Sequence, residues 1–545
     1  MPGLVASVKE SWNLFSPAEK RNIALYIAGI MCYKFGLEAF NGSITALATN
    51  RYDWEAEQAG VKAKTFQRVG LLQGLNQAFQ CVGAILIAPL IKRWPTRLVL
   101  SAAIIVFGVL TALLLIIDAS TGGKIRPSSV TDDDDYSYYG DYNTDGMIPV
   151  YTIAGIAYGM VELIRRVIPR DIVGGNVQKL RRMDALVHIF YEVSGTSGAF
   201  CTALGLIPNL GNNMAFIITP ICFTLAAIFW FFVSNLNFVS SLENVDNPNY
   251  LKSIWTGTIL FFKSVWTGGK IIFTSRKTVW LLPGYSIALY AHRYLENGVA
   301  PAVAKRYLNN SAWSQIMVGG SNFGELFGAL FVFLFTNLVK TPIPWLRLDA
   351  LALLIVWYLP YWYPPANQVR QAWIVAATFL PVSFSWAAGD VSLAAYIQAT
   401  LARKEDENKD VSALGAVMAF LYATYIVIYA IANPLLGDYI DGVYARTGGS
   451  DGGNIHEAIR NVAGVQFTII CVVVLSASFI PKGALSFNPK MLYGESLDRE
   501  LDEESTGSLD KKNGGGDDDV VDGEKDATQI EEETIRDDRH TPPRV

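Results

Sequence analysis

Charge, cysteine and histidine are all scarce in this sequence, and each scarcity excludes something. Charged residues are 17% of the 545, against about 25% in soluble domains, while hydrophobic residues reach 51% and mean hydropathy is +0.27. A string of water-soluble domains is excluded. The five cysteines (Cys32, Cys81, Cys201, Cys222 and Cys471) lie inside apolar runs without C-x-x-C spacing. Neither a disulfide framework nor a zinc site is expected from them. His188, His292, His456 and His540 form no H-x-x-x-H pair, so no metal centre is read. Without a Walker A sequence, direct ATP coupling has no support. No cofactor and no nucleic-acid partner are expected, and the chain is not read as an enzyme.

What charge there is lies unevenly. Residues 491–545 hold 18 Asp/Glu and 7 Lys/Arg, so the acidic balance of −5 belongs to the tail and the body is basic. A membrane-crossing helix needs roughly 20 mostly apolar residues. Twelve such runs can be laid down, at about 23–45, 70–91, 98–118, 148–169, 185–207, 213–235, 279–299, 313–337, 348–363, 371–397, 412–436 and 461–481. The ninth is short and the seventh is interrupted by charge. The fold class expected is therefore an all-α integral membrane protein with twelve transmembrane helices in two six-helix halves.

Five segments follow. Residues 1–22 form a polar N-terminal segment, too polar for a signal peptide. The halves are 23–235 and 279–482, and a linker at 236–278 joins them. In the linker Ile254, Trp255, Ile259, Phe262 and Trp266 share one helical face, which predicts a helix lying on the membrane surface. Residues 483–545 are read as an acidic disordered tail. Lys and Arg number 22 in the loops on the N-terminal side and 12 on the other, which puts both termini in the cytoplasm. The plasma membrane is the expected location, with a vacuolar or other endomembrane as the alternative. On the opposite side fall the Asp-rich loop at 119–147, read as too polar to pack, and the glycosylation triplet Asn309-Asn310-Ser311.

Ionisable residues are distributed among the spans with a period of three. The third, sixth, ninth and twelfth spans carry essentially none. The first has Lys34 and Glu38, the fourth Glu162, Arg165 and Arg166, the fifth His188 and Glu192. The seventh has His292, Arg293 and Glu296, the eighth Asn322 and Glu325, the tenth Asp390. A charge at membrane depth costs about 2.5–3.5 kcal/mol on insertion scales. Eight spans therefore surround something polar, and every third one faces lipid.

In this layout the chain resembles the major facilitator superfamily, over about 15–485. The family's loop between its second and third helices runs G-x-x-x-D-R-x-G-R-R. Here Leu90-Ile-Lys-Arg-Trp-Pro-Thr-Arg-Leu-Val-Leu100 keeps basic residues at Arg93 and Arg97, with Lys92 in place of the acid and Pro95 in place of Gly. The matching loop of the second half, Lys340 to Arg347, keeps a basic–Pro–basic skeleton. A weaker echo joins Lys34…Glu38…Asn41-Gly42 to Arg293…Glu296-Asn297-Gly298. The overall flavour is that of uncharacterised fungal-type members. The resemblance implies a secondary active transporter working by alternating access, monomeric in the bilayer, and makes Lys92, Arg93, Arg97 and Arg347 gating-loop candidates.

The residues themselves supply the site candidates. Lys34/Glu38, His188/Glu192 and Glu162/Arg166 at i,i+4, and Arg293/Glu296 at i,i+3, can neutralise one another on one helix face. Lys34 lies near the middle of its span, where substrate and coupling-ion sites gather. Glu325 is also central and has no partner on its own helix, which makes it a candidate proton carrier, with Glu38 beside it. Substrate-binding or coupling candidates are thus Lys34, Glu38, Glu162, Arg165, Arg166, Glu192, Arg293, Glu296, Glu325 and Asp390. The cargo expected is a small polar or charged solute, moved with protons. The alternatives are a uniporter without proton coupling and a transporter-like sensor that signals through its tail.

Overall fold

The computed structural model describes residues 15–91, 93–130, 135–165, 168–173, 177–234, 249–335, 339, 341–401, 413–489 and 492. Lys92, Arg166 and Lys340 lie outside the described residues, as do Asp132–Asp134 and all of the chain from 494 on. The described residues, Phe15 to Leu492, make one compact unit.

Helix is the only regular structure among the described residues. α1 (Pro17–Gln58) begins at a capping box in which Ser16 and Glu19 satisfy each other's orphan amides, with Pro17 in the first turn. It continues past the expected span through the polar stretch Ala46–Gln58. α2 (Thr65–Ile91), α3 (Thr96–Ser120) and α4 (Met147–Arg165) follow. α5 (Val177–Cys201) passes through the π-turn Thr202–Leu206 into Ile207–Leu210, and α6 is Ile218–Phe231. The linker holds α7 (Tyr250–Thr274).

Beyond the linker, α8 alternates π and α turns through Leu282–Ile287, Ala288–Tyr294, Leu295–Val299 and Ala300–Arg306. α9 is Ser314–Phe335 and α10 is Ile343–Ala352. α11 (Val369–Leu401), α12 (Ala413–Arg446) and α13 (Gln466–Ser478, led in by His456–Ile459 and Arg460–Val465) complete the chain.

Eight helices among the described residues are long and apolar enough to cross a bilayer. The pair Leu186–Leu210 and Ala215–Phe231 also meets the test jointly, across a bend of 116°. The short ninth run has a physical explanation. α10 continues as a 3₁₀-helix over Leu353–Tyr361, which rises further per residue, so the 19 residues from Ile343 to Tyr361 reach about 33 Å.

Buried apolar side chains fall into two large clusters. One is drawn from Phe15 to Val233; the other begins at Ile272, with Phe66 and Ala203 as its only members from earlier in the chain. Close backbone approach joins α2 to α12. A Cβ on Gly437 would sit 2.2 Å from the carbonyl oxygen of Phe66, and one on Gly70 2.7 Å from that of Asn433. α7 seats Gly268 against Ala416 of α12 and leaves Trp255, Phe262 and Trp266 exposed on its other face.

The loop after α3 does not behave as its polarity suggested. Arg51 of α1, buried, donates to Thr144 Oγ1 (2.9 Å), the Gly140 carbonyl (2.9 Å) and the Tyr142 carbonyl (2.6 Å). Asp118 accepts from the Gly140 amide and Asn213 Nδ2. Tyr139 stacks on Tyr136 and meets Tyr138 edge-on, and all three are buried; burial pushes the Tyr139 phenol up. A buried guanidinium that collects three oxygens packs a segment that hydropathy alone leaves loose.

Candidate functional site

α1 supplies the first pair. Lys34 and Glu38, one turn apart and both buried, meet at 2.5 Å. The ammonium also lies 4.5 Å from the centre of the Tyr191 ring of α5. Arg165 of α4 approaches the same ring at 4.6 Å, so one tyrosine serves two cations. Arg165 binds Glu162 at 2.6 Å, and Glu162 accepts a second hydrogen bond from Tyr33 Oη at 2.9 Å. Glu162 thus pairs with Arg165 at i,i+3, while Arg166, the expected partner at i,i+4, lies outside the described residues.

α8 repeats the scheme. Arg293 binds Glu296 at 2.8 Å, and Glu296 accepts from Ser321 Oγ of α9 at 2.6 Å, which in turn meets Ser383 Oγ of α11 at 2.6 Å. The Arg293 side chain remains 42% exposed, whereas Glu296 is buried.

Two carboxyls stand apart. Glu192 of α5 is 3% exposed, and its Oε2 has no hydrogen-bond partner. The expected His188/Glu192 pair does not form, and His188 Nε2 is unpartnered as well. Lys34 acts on both side chains; otherwise His188 answers to Asp390 and Arg165, and Glu192 to Glu38, Arg293 and Glu296. Glu325 of α9, half-buried, makes no hydrogen bond or ion pair among the described residues. Its electrostatic neighbours are Glu192, Glu296, Arg293 and Lys34.

α5 and α9 pack directly together. A Cβ on Gly195, one turn beyond Glu192, would fall 2.6 Å from Lys34 Cε and 3.3 Å from Asn322 Nδ2. Asn322, one turn before Glu325, is buried with that nitrogen unpartnered. Lys34, Glu38, Glu192, Arg293, Glu296 and Glu325 therefore form one cluster, fed by α1, α5, α8 and α9. Glu162 and Arg165 border it through Tyr191, and Asp390 lies nearer His188.

The remaining candidates sit elsewhere. Arg97 donates to the Val233 carbonyl just after α6 (2.9 Å). Arg347 donates to Ser478 Oγ (3.0 Å) and the Ala484 carbonyl (2.5 Å) at the end of α13. Arg97 thus bonds just past the end of α6, and Arg347 bonds at and beyond the end of α13. Arg93 reaches Ser253 Oγ of α7 at 3.4 Å. Asn309, at φ 59°, lines a cavity of about 210 Å³ with Asn50, Lys305 and Trp313.

Sequence spacing missed the long-range pairs. Asp349 was read as belonging to a charge-free span, yet it is buried and holds His292 Nε2 at 2.8 Å, with the imidazole stacked on Trp386. Arg306 at the end of α8 grips Asp53 of α1 through two hydrogen bonds of 2.7 and 2.6 Å. Gln73 of α2 accepts from Tyr429 and Asn433 of α12, both at 3.3 Å. Only an i,i+3 or i,i+4 spacing can be read from one sequence, and none of these has it.

No family profile matches this sequence, and neither does any curated protein. Solved structures do. A nucleoside transporter, NupG, superposes with a TM-score of 0.56 at 11% identity, over 84% of this chain and 99% of that one. A D-xylose–proton symporter gives 0.56 at 13%, over 86% and 98%. A POT family transporter in complex with a thioalcohol-conjugated peptide gives 0.53 at 12%, over 86% and 96%. The chain shares the fold of these membrane transporters, the fold that the sequence resemblance implied.

Proposed function

We propose that this chain is a secondary active transporter, moving a small polar or charged solute by alternating access and driven by a proton gradient. In this reading twelve spans form two halves, about 23–235 and 279–482, with α7 on the cytoplasmic membrane surface and both termini in the cytoplasm. The observation that carries it is the central cluster. Its side chains come from α1 and α5 before the linker and from α8 and α9 after it, so a rocking motion of the halves would remake it. Ionisable groups at that depth mark substrate and ion paths. The likeness to solved transporters supports the class of machine; their cargoes are too varied, and the identity too low, to choose one.

Glu325 is the preferred proton carrier and Glu38 the second choice, because Glu38 is already held by Lys34 at 2.5 Å and Glu325 has no such partner. Arg306–Asp53 and Gln73–Asn433 tie the halves together at the end of α1 remote from Ser16. The exposed Arg293 is then reached from the other side, and this conformation is read as open toward the cytoplasm. Reconstitution of the full chain in liposomes tests the function: uptake of a solute that follows an imposed proton gradient supports it. Uptake indifferent to the gradient leaves a uniporter. No uptake of any solute that binds leaves a sensor.

A further inference from the structure

Counting the charges of the central cluster sharpens the choice of substrate. Lys34 and Arg293 bring two positive charges; Glu38, Glu192, Glu296 and Glu325 bring four negative ones. Both cations are spent, Lys34 on Glu38 at 2.5 Å and Arg293 on Glu296 at 2.8 Å. The bordering Arg165 is spent on Glu162 at 2.6 Å. What remains are two carboxyls, Glu192 before the linker and Glu325 after it, each within electrostatic range of the other. Beside them lie two atoms without hydrogen-bond partners, Glu192 Oε2 and Asn322 Nδ2. Buried polar atoms normally find partners; Glu192 Oε2 is an acceptor that suits a cationic donor, whereas Asn322 Nδ2 is a donor and does not itself call for a cation.

We propose that the cargo is an organic cation, a protonated or quaternary amine, held between Glu192 and Glu325, and that it competes with a proton for the same two carboxyls. This rests on the transporter reading and specifies its substrate class. An anion would find no free cation to pair with, since Lys34 and Arg293 already hold Glu38 and Glu296, and would need both remaining carboxyls to stay protonated. A cation draws one carboxyl from each half toward itself, and so favours closure around it. Binding one cation displaces one proton, which leaves the carboxyl for bulk water, so the charge within the site is unchanged and transport is an exchange of amine for proton. The groups facing the two carboxyls, Lys34, Glu38, Arg293 and Glu296, stay in their ion pairs throughout.

The test uses the full-length protein in detergent and matched solute sets: methylammonium, choline, tetraethylammonium and putrescine against lactate, succinate, glucose and inositol. Thermal unfolding reads binding at mildly acidic and mildly alkaline pH. At least one cation should raise the unfolding temperature, and more so at alkaline pH, where fewer protons compete. Glu192→Gln and Glu325→Gln should each weaken it about 10-fold, the loss of one charge-assisted hydrogen bond, while Glu325→Asp retains most of it. Stabilisation by the anionic or neutral set alone, by no solute, or by a cation equally in both glutamine variants overturns the proposal. Flux in liposomes separates the two claims. A cation that binds but is not carried keeps the cation site and removes the transporter; an anion that is carried keeps the transporter and removes the cation site.

Discussion

Arg306 and Asp53 meet through two hydrogen bonds of 2.7 and 2.6 Å, with the guanidinium only 7% exposed and stacked 3.9 Å from the Tyr444 ring. Glu192 and Glu325 lie in the same interface between early and late helices, and neither has an ion-pair partner. The first pair is satisfied by the protein itself; the second is not. A buried carboxyl without a partner is costly as an anion, so it holds a proton unless something else supplies the counter-charge for part of the cycle. The comparison thus divides the interface into a lock and a seat.

Breaking the lock should have the largest effect. Arg306→Ala leaves Asp53 buried without its counter-charge, and should cost about 3–5 kcal/mol of the observed conformation. Thermal unfolding would register this, and the double variant Arg306→Ala with Asp53→Ala should recover part of the loss, because it removes the stranded charge. A single variant as stable as the native protein would show that the pair holds nothing. Lys34→Ala should follow, at about 2–4 kcal/mol, since it strands Glu38 in the same way but beside a polar cluster. Again the double variant with Glu38→Ala should lose less than the single.

A smaller cost is expected at the crossing of α2 and α12. Gly437→Ala places a methyl group 2.2 Å from the Phe66 carbonyl oxygen, and shifting the two helices apart should cost about 1–3 kcal/mol. Alanine at Gly442, where a Cβ meets nothing within 4 Å, is the control and should be near neutral. The smallest effect belongs to the acidic tail. Removing residues 494–545 should change the unfolding temperature of the rest by no more than the measurement error, since that stretch has too few apolar residues to join a core. A marked drop would mean that the tail contributes to the compact unit.

Only part of the seat was legible in the sequence, and the lock was not, for a physical reason. Helix periodicity exposes neighbours three and four residues apart, so Lys34–Glu38 and Arg293–Glu296 could be read directly. The isolation of Glu325 could be read as well, because its own helix offers no base. The same rule misled at His188–Glu192, where the spacing is right but His188 Nε2 and Glu192 Oε2 are both left without a partner. It was silent on Asp53–Arg306 and His292–Asp349, whose partners are 253 and 57 residues apart. Tyr191 looked like one of many membrane aromatics, and only the packing of α1, α4 and α5 reveals that it carries two cations. Hydropathy misjudged the loop after α3 for a related reason: Arg51 lies on α1, far from the carbonyls it gathers.

The central claim, that Glu325 carries the coupling proton, is tested most directly by side-by-side flux in liposomes with the native protein and Glu325→Gln. Three readings are taken of whichever solute the native protein carries: accumulation driven by a proton gradient, flow down the solute's own gradient, and exchange of internal for external solute. Glutamine holds the position in a protonated-like state. The account predicts that accumulation is abolished in the variant while exchange persists, because exchange needs no net proton movement. Accumulation by Glu325→Gln at the native rate would contradict it, and would move the proton to another carboxyl, Glu38 first.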